Sequence, residues 1–253
     1  MHARRSDVAG GPAPAPDADQ PHRLPRVTSF RARRSTLSTG QQALWDRRWP
    51  ELGMQARDDD AQPIVDVDTA AWFGRSAPLV VEIGSGTGTS TAAMALAEPH
   101  LDVIAVEVYR KGLAQLLGAI DRDGITNIRM VRGDGVDVLE HMIGSETLTG
   151  VRVFFPDPWP KARHHKRRLL QPATVALIAD RLRPGGILHA ATDHLGYAAH
   201  IAEVGDAEPR LRRVTDDGAS DQLPISVQRP VTKYEKKALA GPVITELIWE
   251  KLP

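Results

Sequence analysis

The regular alternation of short apolar runs with helical stretches between residues 78 and 192 constrains this chain more than any other feature. Pro78-Leu-Val-Val-Glu-Ile83 is β-branched, too short for a helix, and closes on Gly84-Ser-Gly-Thr-Gly88. A helical pattern over 89–98 follows, then an apolar run at Val103–Glu107, a second helical stretch over 109–121, and a third run at Asn127–Val131. Val151–Phe155 is a fourth run, ending at a proline. Residues 172–182 read as a helix stopped by Arg183-Pro-Gly-Gly186, and Ile187–Thr192 as a fifth strand. Strands alternating with helices make βαβ units, hence an α/β fold with a central, mostly parallel sheet and helices on both faces. Val243–Trp249 alternates at period two and reads as an antiparallel C-terminal edge strand. Upstream, a short helix is expected with Thr39 near its cap and Leu44, Trp45 and Trp49 as anchors.

The chain has 253 residues, which suits one large domain over 36–253 preceded by an extension. Residues 1–35 hold Pro12, Pro14, Pro16, Pro21 and Pro25 and few large apolar groups, so they cannot offset their ordering entropy and are expected to be disordered. Their end, Arg31-Ala-Arg33-Arg34, reads either as a solvated tail or as an arm for phosphates. The absence of cysteine excludes disulfides, thiolate metal sites and a cysteine nucleophile. No apolar run reaches the 18 residues or so of a membrane span. The N-terminus has basic residues with no apolar stretch behind them, so a cytoplasmic location without a membrane partner is expected.

Lys plus Arg equals Asp plus Glu at 32 each, a net charge of zero. The total conceals an asymmetry. Residues 1–50 carry net +5, residues 51–150 net −9, and residues 151–253 net +4. An acidic middle between basic flanks does not exclude a polyanionic partner.

Open α/β sheets bind ligands beyond the carboxyl ends of their strands. That rule selects Glu82–Gly88, Glu107, Asp134, 156–166 and Asp193, all just after expected strands. In the glycine loop, Gly84 and Gly86 allow a tight turn and close backbone approach. A dinucleotide site wants G-x-G-x-x-G, but its third position here is Thr89, and Glu82 two residues before the first glycine would repel a pyrophosphate. An acid there suits a cationic, phosphate-free cofactor, and S-adenosylmethionine, with its ammonium and sulfonium, fits. Glu107 is placed to accept from ribose hydroxyls, against the plainer reading of a surface acid at a strand end. Asp134, in Arg132-Gly-Asp-Gly135, is read either as a partner of the adenine amino group or as ordinary Asp-Gly turn chemistry.

Phe155-Pro-Asp-Pro-Trp-Pro-Lys161 is stiff, because proline fixes its own φ and restrains the residue before it. Arg163, His164, His165, Lys166, Arg167 and Arg168 follow with no acid among them, a density that can neutralise several phosphates or form a solvated charged face. His164 and His165 have no spaced acid or cysteine partner, so no metal is expected. Trp159 is read equally as a base-stacking or a packing residue. Asp193 doubles as a candidate N-cap for a helix beginning near His194, and Thr232-Lys-Tyr-Glu235 reads on its own as a capping box.

Taken together, Val81–Gly88, Phe155–Lys161 with Arg163–Arg168, Ala191-Thr-Asp193 and Thr232–Glu235 resemble the bacterial tRNA (guanine-N7-)-methyltransferases. The glycine loop is generic to class I methyltransferases, whereas the proline loop with its basic continuation is specific. The resemblance implies a Rossmann-like class I methyltransferase fold, S-adenosylmethionine as cofactor, tRNA as partner and a variable-loop guanine at position 46 as target. Mapped onto matching positions, it implies Glu82, Gly84, Gly86, Glu107, Asp134 and Asp157 on the cofactor side. Asp157 is also the implied catalytic residue, and Lys161, Asp193, Thr232, Lys233, Tyr234 and Glu235 the implied substrate contacts. Arg163 to Arg168 are expected at the RNA. No obligate protein partner is evident. Another methyltransferase, a non-catalytic RNA-binding protein and a dinucleotide-linked oxidoreductase are the rival readings, the last opposed by Glu82 and Thr89.

Overall fold

The computed structural model describes residues 36–215, 223–230 and 243–253. The extension over 1–35 and the Thr232–Glu235 segment lie outside the described residues.

Helix α1 (Thr39–Leu52) starts at a capping box: Ser38 Oγ accepts from the Gln41 N–H, and Gln41 returns a bond to the Ser38 N–H. Trp45 and Trp49, one helical turn apart, stack at 4.0 Å between ring centroids. The chain continues through β1 (Gly53–Gln55), α2 (Thr69–Phe73), β2 (Leu79–Ile83), α3 (Thr89–Ala97), β3 (Asp102–Glu107), α4 (Arg110–Asp123), β4 (Ile128–Arg132), a single turn α5 (Gly135–Asp137), β5 (Leu148–Phe154), α6 (Pro172–Arg181), β6 (Leu182–Thr192), α7 (Leu195–Asp206), β7 (Leu211–Arg213) and β8 (Thr245–Lys251).

The eight strands form one sheet in the order β1-β4-β3-β2-β5-β6-β8-β7. All neighbours are parallel except β8, which inserts antiparallel between β6 and β7. The order reverses between β3-β2 and β2-β5, and such a reversal opens a crevice at the carboxyl ends of the strands. Every residue of β2, β3 and β5 is buried, as expected of strands covered on both faces. One face packs Val81, Ile104, Val151 and Leu188 under α6, α7 and Trp249. The other packs Val80, Val103, Ala105 and Met130 under α1 and α4.

Among the described residues the expected strands and helices from residue 78 onward are present, but the C-terminal strand, antiparallel as expected, is not itself the edge, because β7 pairs along its outer side. β6, however, begins five residues before the expected Ile187, so the expected helix stop at Arg183–Gly186 is part of a strand. A register shift against β5 absorbs the extra residues, with Leu148 opposite Leu182 and Gly150 opposite Ile187, and Gly185 at φ 76° accommodates the bend. The three-residue strands β1 and β7 were not expected; at that length a strand has no readable period.

Candidate cofactor cleft and basic loop

The crevice at the sheet reversal is a cleft lined by Gly84 and Gly86, Glu107 and Tyr109, Asp134, Phe154 and Phe155, and Asp157. Ends of four consecutive sheet strands thus meet at one place. Five of the residues singled out from sequence (Gly84, Gly86, Glu107, Asp134 and Asp157) line the same cleft.

Gly84, Gly86 and Gly88 sit at φ 80°, 57° and 73°, the left-handed region that favours glycine. This zigzag turns β2 into α3 and aims backbone N–H groups inward. Glu107 at the end of β3 ties the turn down: it is buried, accepts from Gly86 N–H at 2.8 Å through Oε2, and from Val108 and Tyr109 N–H at 2.7 and 2.9 Å through Oε1. A carboxylate offers about four acceptor positions, so Glu107 keeps capacity toward the cleft. Helix α4 lies close over the loop because position 112 is glycine; a Cβ there would fall 2.2 Å from the Gly86 carbonyl oxygen. Gly112 was missed in the sequence, although a glycine within a helical pattern is a signal of close approach.

Asp134 caps α5, accepting from the Val136 N–H at 3.0 Å, and also lines the cleft. Turn chemistry and a place on the cleft wall therefore coexist at this residue.

Glu82 differs from its expected position as a wall of the cleft. It is buried at 3 % exposure on the inner side of the loop, where Oε1 accepts from the Thr91 hydroxyl at 3.0 Å, and it is not part of the lining. Its Oε2 has no hydrogen-bond partner among the described residues. Burial pushes the Glu82 carboxyl above the usual range, with Arg152, the Thr91 bond and Arg229 pulling the other way. The reason for its position is register: side chains alternate faces, and Glu82, paired with Arg152 across β2 and β5, points into the layer under α3.

On the opposite wall, β5 ends at Phe154 and the chain turns sharply. Phe155 and Trp159 have φ 50° and 43°, uncommon for bulky residues, and they bracket Pro156-Asp-Pro158. Asp157 is exposed at the tip of this bracket, over the cleft. Trp159 is a packing residue: it is 4 % exposed, meets His164 edge-on at 5.8 Å, and lies under the Arg167 guanidinium at 5.0 Å.

The basic run forms a single 3-10 turn over Ala162–Arg167, with Lys161 at its N-cap. Lys161, Arg163 and Lys166 are exposed, while His164, His165 and Arg167 are half-buried. Arg168 corrects the expectation that the whole run faces RNA. It is buried, donates to the Pro158 and Gly196 carbonyls at 3.0 and 3.4 Å, and lies 4.9 Å over the Tyr197 ring. The turn's three-residue period carries it inward. Tyr197 completes the anchor by accepting the Leu170 N–H at 3.2 Å. Burial pushes its phenol up to about 12, opposed by that bond and Arg168.

Asp193 is half-buried at the end of β6, and the cap of α7 is His194, whose Nδ1 accepts from Tyr197 N–H at 3.1 Å. Among the described residues, no group of three His, Asp or Glu could hold a metal, and no helix is long and apolar enough to cross a membrane.

A parallel sheet in this order, with a glycine loop after β2 and a ligand cleft at its reversal, defines a class I methyltransferase fold. A family model described as "Putative methyltransferase" matches residues 76–243. A tRNA (guanine-N(7)-)-methyltransferase of Mycolicibacterium gilvum (strain PYR-GCK) is 72% identical over 260 residues, covering 100% of this chain and 98% of that one. One of Mycobacterium avium (strain 104), bearing the same name, is 61% identical over 254 residues, covering 98% and 96%. The crystal structure of the aminoglycoside resistance methyltransferase NpmB1 aligns at 15% identity with a TM-score of 0.49, covering 78% of this chain and 98% of that one. The chain belongs to the tRNA (guanine-N(7)-)-methyltransferase family and is an enzyme of that type.

Proposed function

We propose that this enzyme transfers the methyl group of S-adenosylmethionine to N7 of a guanine in tRNA, at variable-loop position 46. The observation that carries the donor assignment is the charge of the cleft. Three acids line it (Glu107, Asp134 and Asp157), and among the described residues no Lys or Arg does. A pyrophosphate would be repelled there. When bound, the cofactor supplies an electrophilic methyl on a sulfonium.

The chain's own residues have distinct parts in this reading. Gly84 and Gly86 let the backbone close on the ligand, Glu107 accepts from ribose hydroxyls, and Asp134 accepts from the adenine amino group. Guanine N7 carries an in-plane lone pair and no proton, so no base is needed before methyl transfer. The methylated ring is cationic. Asp157 accepts hydrogen bonds from the guanine N1 and N2 edge and offsets that charge, a preorganised electrostatic contribution of roughly 3–4 kcal/mol. The stiff loop holds the base in line with the methyl. Lys161 and the outward part of Arg163–Arg167 bind tRNA phosphates, and Asp193 and the Thr232–Glu235 segment contact the substrate.

The test is a nucleoside analysis. Incubation with methyl-labelled S-adenosylmethionine and unmodified tRNA, followed by complete digestion, is expected to place the label in 7-methylguanosine, and a G46-substituted tRNA should take none. Label in another nucleoside would point to a different base, and tRNA binding without label to a non-catalytic role.

A further inference from the structure

On the sheet face opposite α6 and α7, charge is buried where β5, β6 and β8 meet, on residues that are not themselves part of the cleft lining. Arg152, fully buried on β5, pairs with Glu98 at 2.7 Å. The other Glu98 oxygen accepts from Ser226 N–H at 2.7 Å, and Arg152 donates to the Ser226 carbonyl at 3.3 Å. These bonds fasten segment 223–230 onto the sheet, with Ile225 buried beside Gly150.

Three residues on, the Arg229 side chain is 3% exposed. It reaches Glu246 on β8 at 3.4 Å, and Glu246 bonds His189 on β6 at 2.7 Å. The His189 ring meets Phe154 edge-on at 4.9 Å. The Arg229 guanidinium itself lies 4.8 Å from the Phe155 ring centroid and 5.7 Å from that of Phe154. Arg229, Glu246 and His189 thus surround the end of β5 at Phe154, where the chain leaves the sheet. Phe155 donates its last ladder bond to the Ala191 carbonyl at 2.8 Å and turns to φ 50°. A phenylalanine in that region relaxes to extended backbone unless its ring is held. Two residues further is Asp157.

We infer that Arg229, set by Glu246 and His189, is a positioning residue that pins the Phe155 ring and thereby the direction in which Asp157 points. The inference rests on the role proposed above for Asp157. In this reading Arg229 acts through Phe155, the nearer of the two rings, and it is not among the residues lining the cleft. Its loss therefore shifts the loop without removing the cofactor wall made by Glu107 and Asp134.

Three variants test this: Arg229→Ala, Arg229→Lys and Glu246→Gln. At saturating cofactor and tRNA, Arg229→Ala is expected to lower kcat roughly 10- to 100-fold, the scale of a displaced catalytic group. Affinity for S-adenosylhomocysteine should stay within about 3-fold of the parent. Tryptic cleavage after Lys161 and Arg163, located by mass, should accelerate in the same variant. Arg229→Lys keeps a cation over the rings and should recover most of both properties, and Glu246→Gln should fall between the two. Parental kcat with parental cleavage in Arg229→Ala would overturn the inference. So would a kcat loss without faster cleavage, which marks a direct role, or a loss confined to cofactor affinity. Should Arg229→Ala not fold, equal behaviour of Glu246→Gln and the parent in both readouts would overturn it as well. The cleavage comparison needs no turnover, so it still tests the clamp if the parent places no label in 7-methylguanosine.

Discussion

The two walls of the cleft are held rigid by opposite means. The wall from β2 to β4 is a hydrogen-bonded one: glycines give the chain its turns, and Glu107 collects three backbone N–H groups to fix them. The wall from β5 is a torsional one: prolines restrict φ, two bulky residues occupy the left-handed region, and guanidinium groups lie over their rings. A wall made of backbone donors and acids suits a ligand that must be bound and then exchanged. A wall made of locked torsions suits a single side chain that must point one way during a reaction. The first lies mostly in the acidic middle of the chain, and the second opens the basic part.

The largest effect should come from breaking the torsional wall at its functional tip. Asp157→Asn keeps the shape and removes the charge, and we expect the rate of 7-methylguanosine formation to fall about 100-fold or more. Cofactor affinity by calorimetry should stay near the parental value. A large affinity loss instead would move Asp157 to the other wall.

The hydrogen-bonded wall breaks at Gly112. The Cβ of Gly112→Ala would meet the Gly86 carbonyl, so the helix or the loop must shift, at about 1–3 kcal/mol of overpacking. Thermal unfolding should show the loss, and cofactor binding should weaken with it. Gly118 on the same helix is the control, since a Cβ there meets nothing within 4 Å, and Gly118→Ala should be neutral or stabilising.

The anchor of the basic loop gives a pH signature. An unfolded tyrosine ionises near 10, whereas burial pushes Tyr197 up to about 12. Between those values the unfolded chain has lost a proton that the folded one keeps, so stability is intact below pH 10 and falls as pH rises toward 12, by on the order of 2 kcal/mol. Alkaline unfolding of Tyr197→Phe should lack that part of the fall, at the cost of the Leu170 bond.

The smallest expected effect separates outward from inward cations. Lys166→Ala, at an exposed position, should reduce the salt slope of tRNA binding by about one and leave thermal stability alone. Arg168→Ala should do the reverse, lowering the unfolding temperature through its lost carbonyl bonds while the slope stays near the parental value. A reduced slope for Arg168→Ala would return that residue to the RNA-facing set.

Local chemistry determined a large share of this protein from sequence alone. β-branched runs of strand length, a glycine turn opening a helix and acids at successive strand ends are short-range patterns, and they were enough for the parallel sheet and for Glu107, Asp134 and Asp157 in one cleft. Those properties depend on a residue's neighbours in the chain, which the sequence displays directly. Which way a side chain points at the end of an element depends on register and on what packs from elsewhere. Only the tertiary structure decided that Glu82 lies inside the loop, that Arg168 turns in to Tyr197 while Lys166 faces out, and that β6 starts at Leu182 through a register shift. It alone joined Arg229 to Phe155 across 74 positions of chain. Contacts of that kind are set by the crossing of distant elements in a close-packed interior, and no local period announces them.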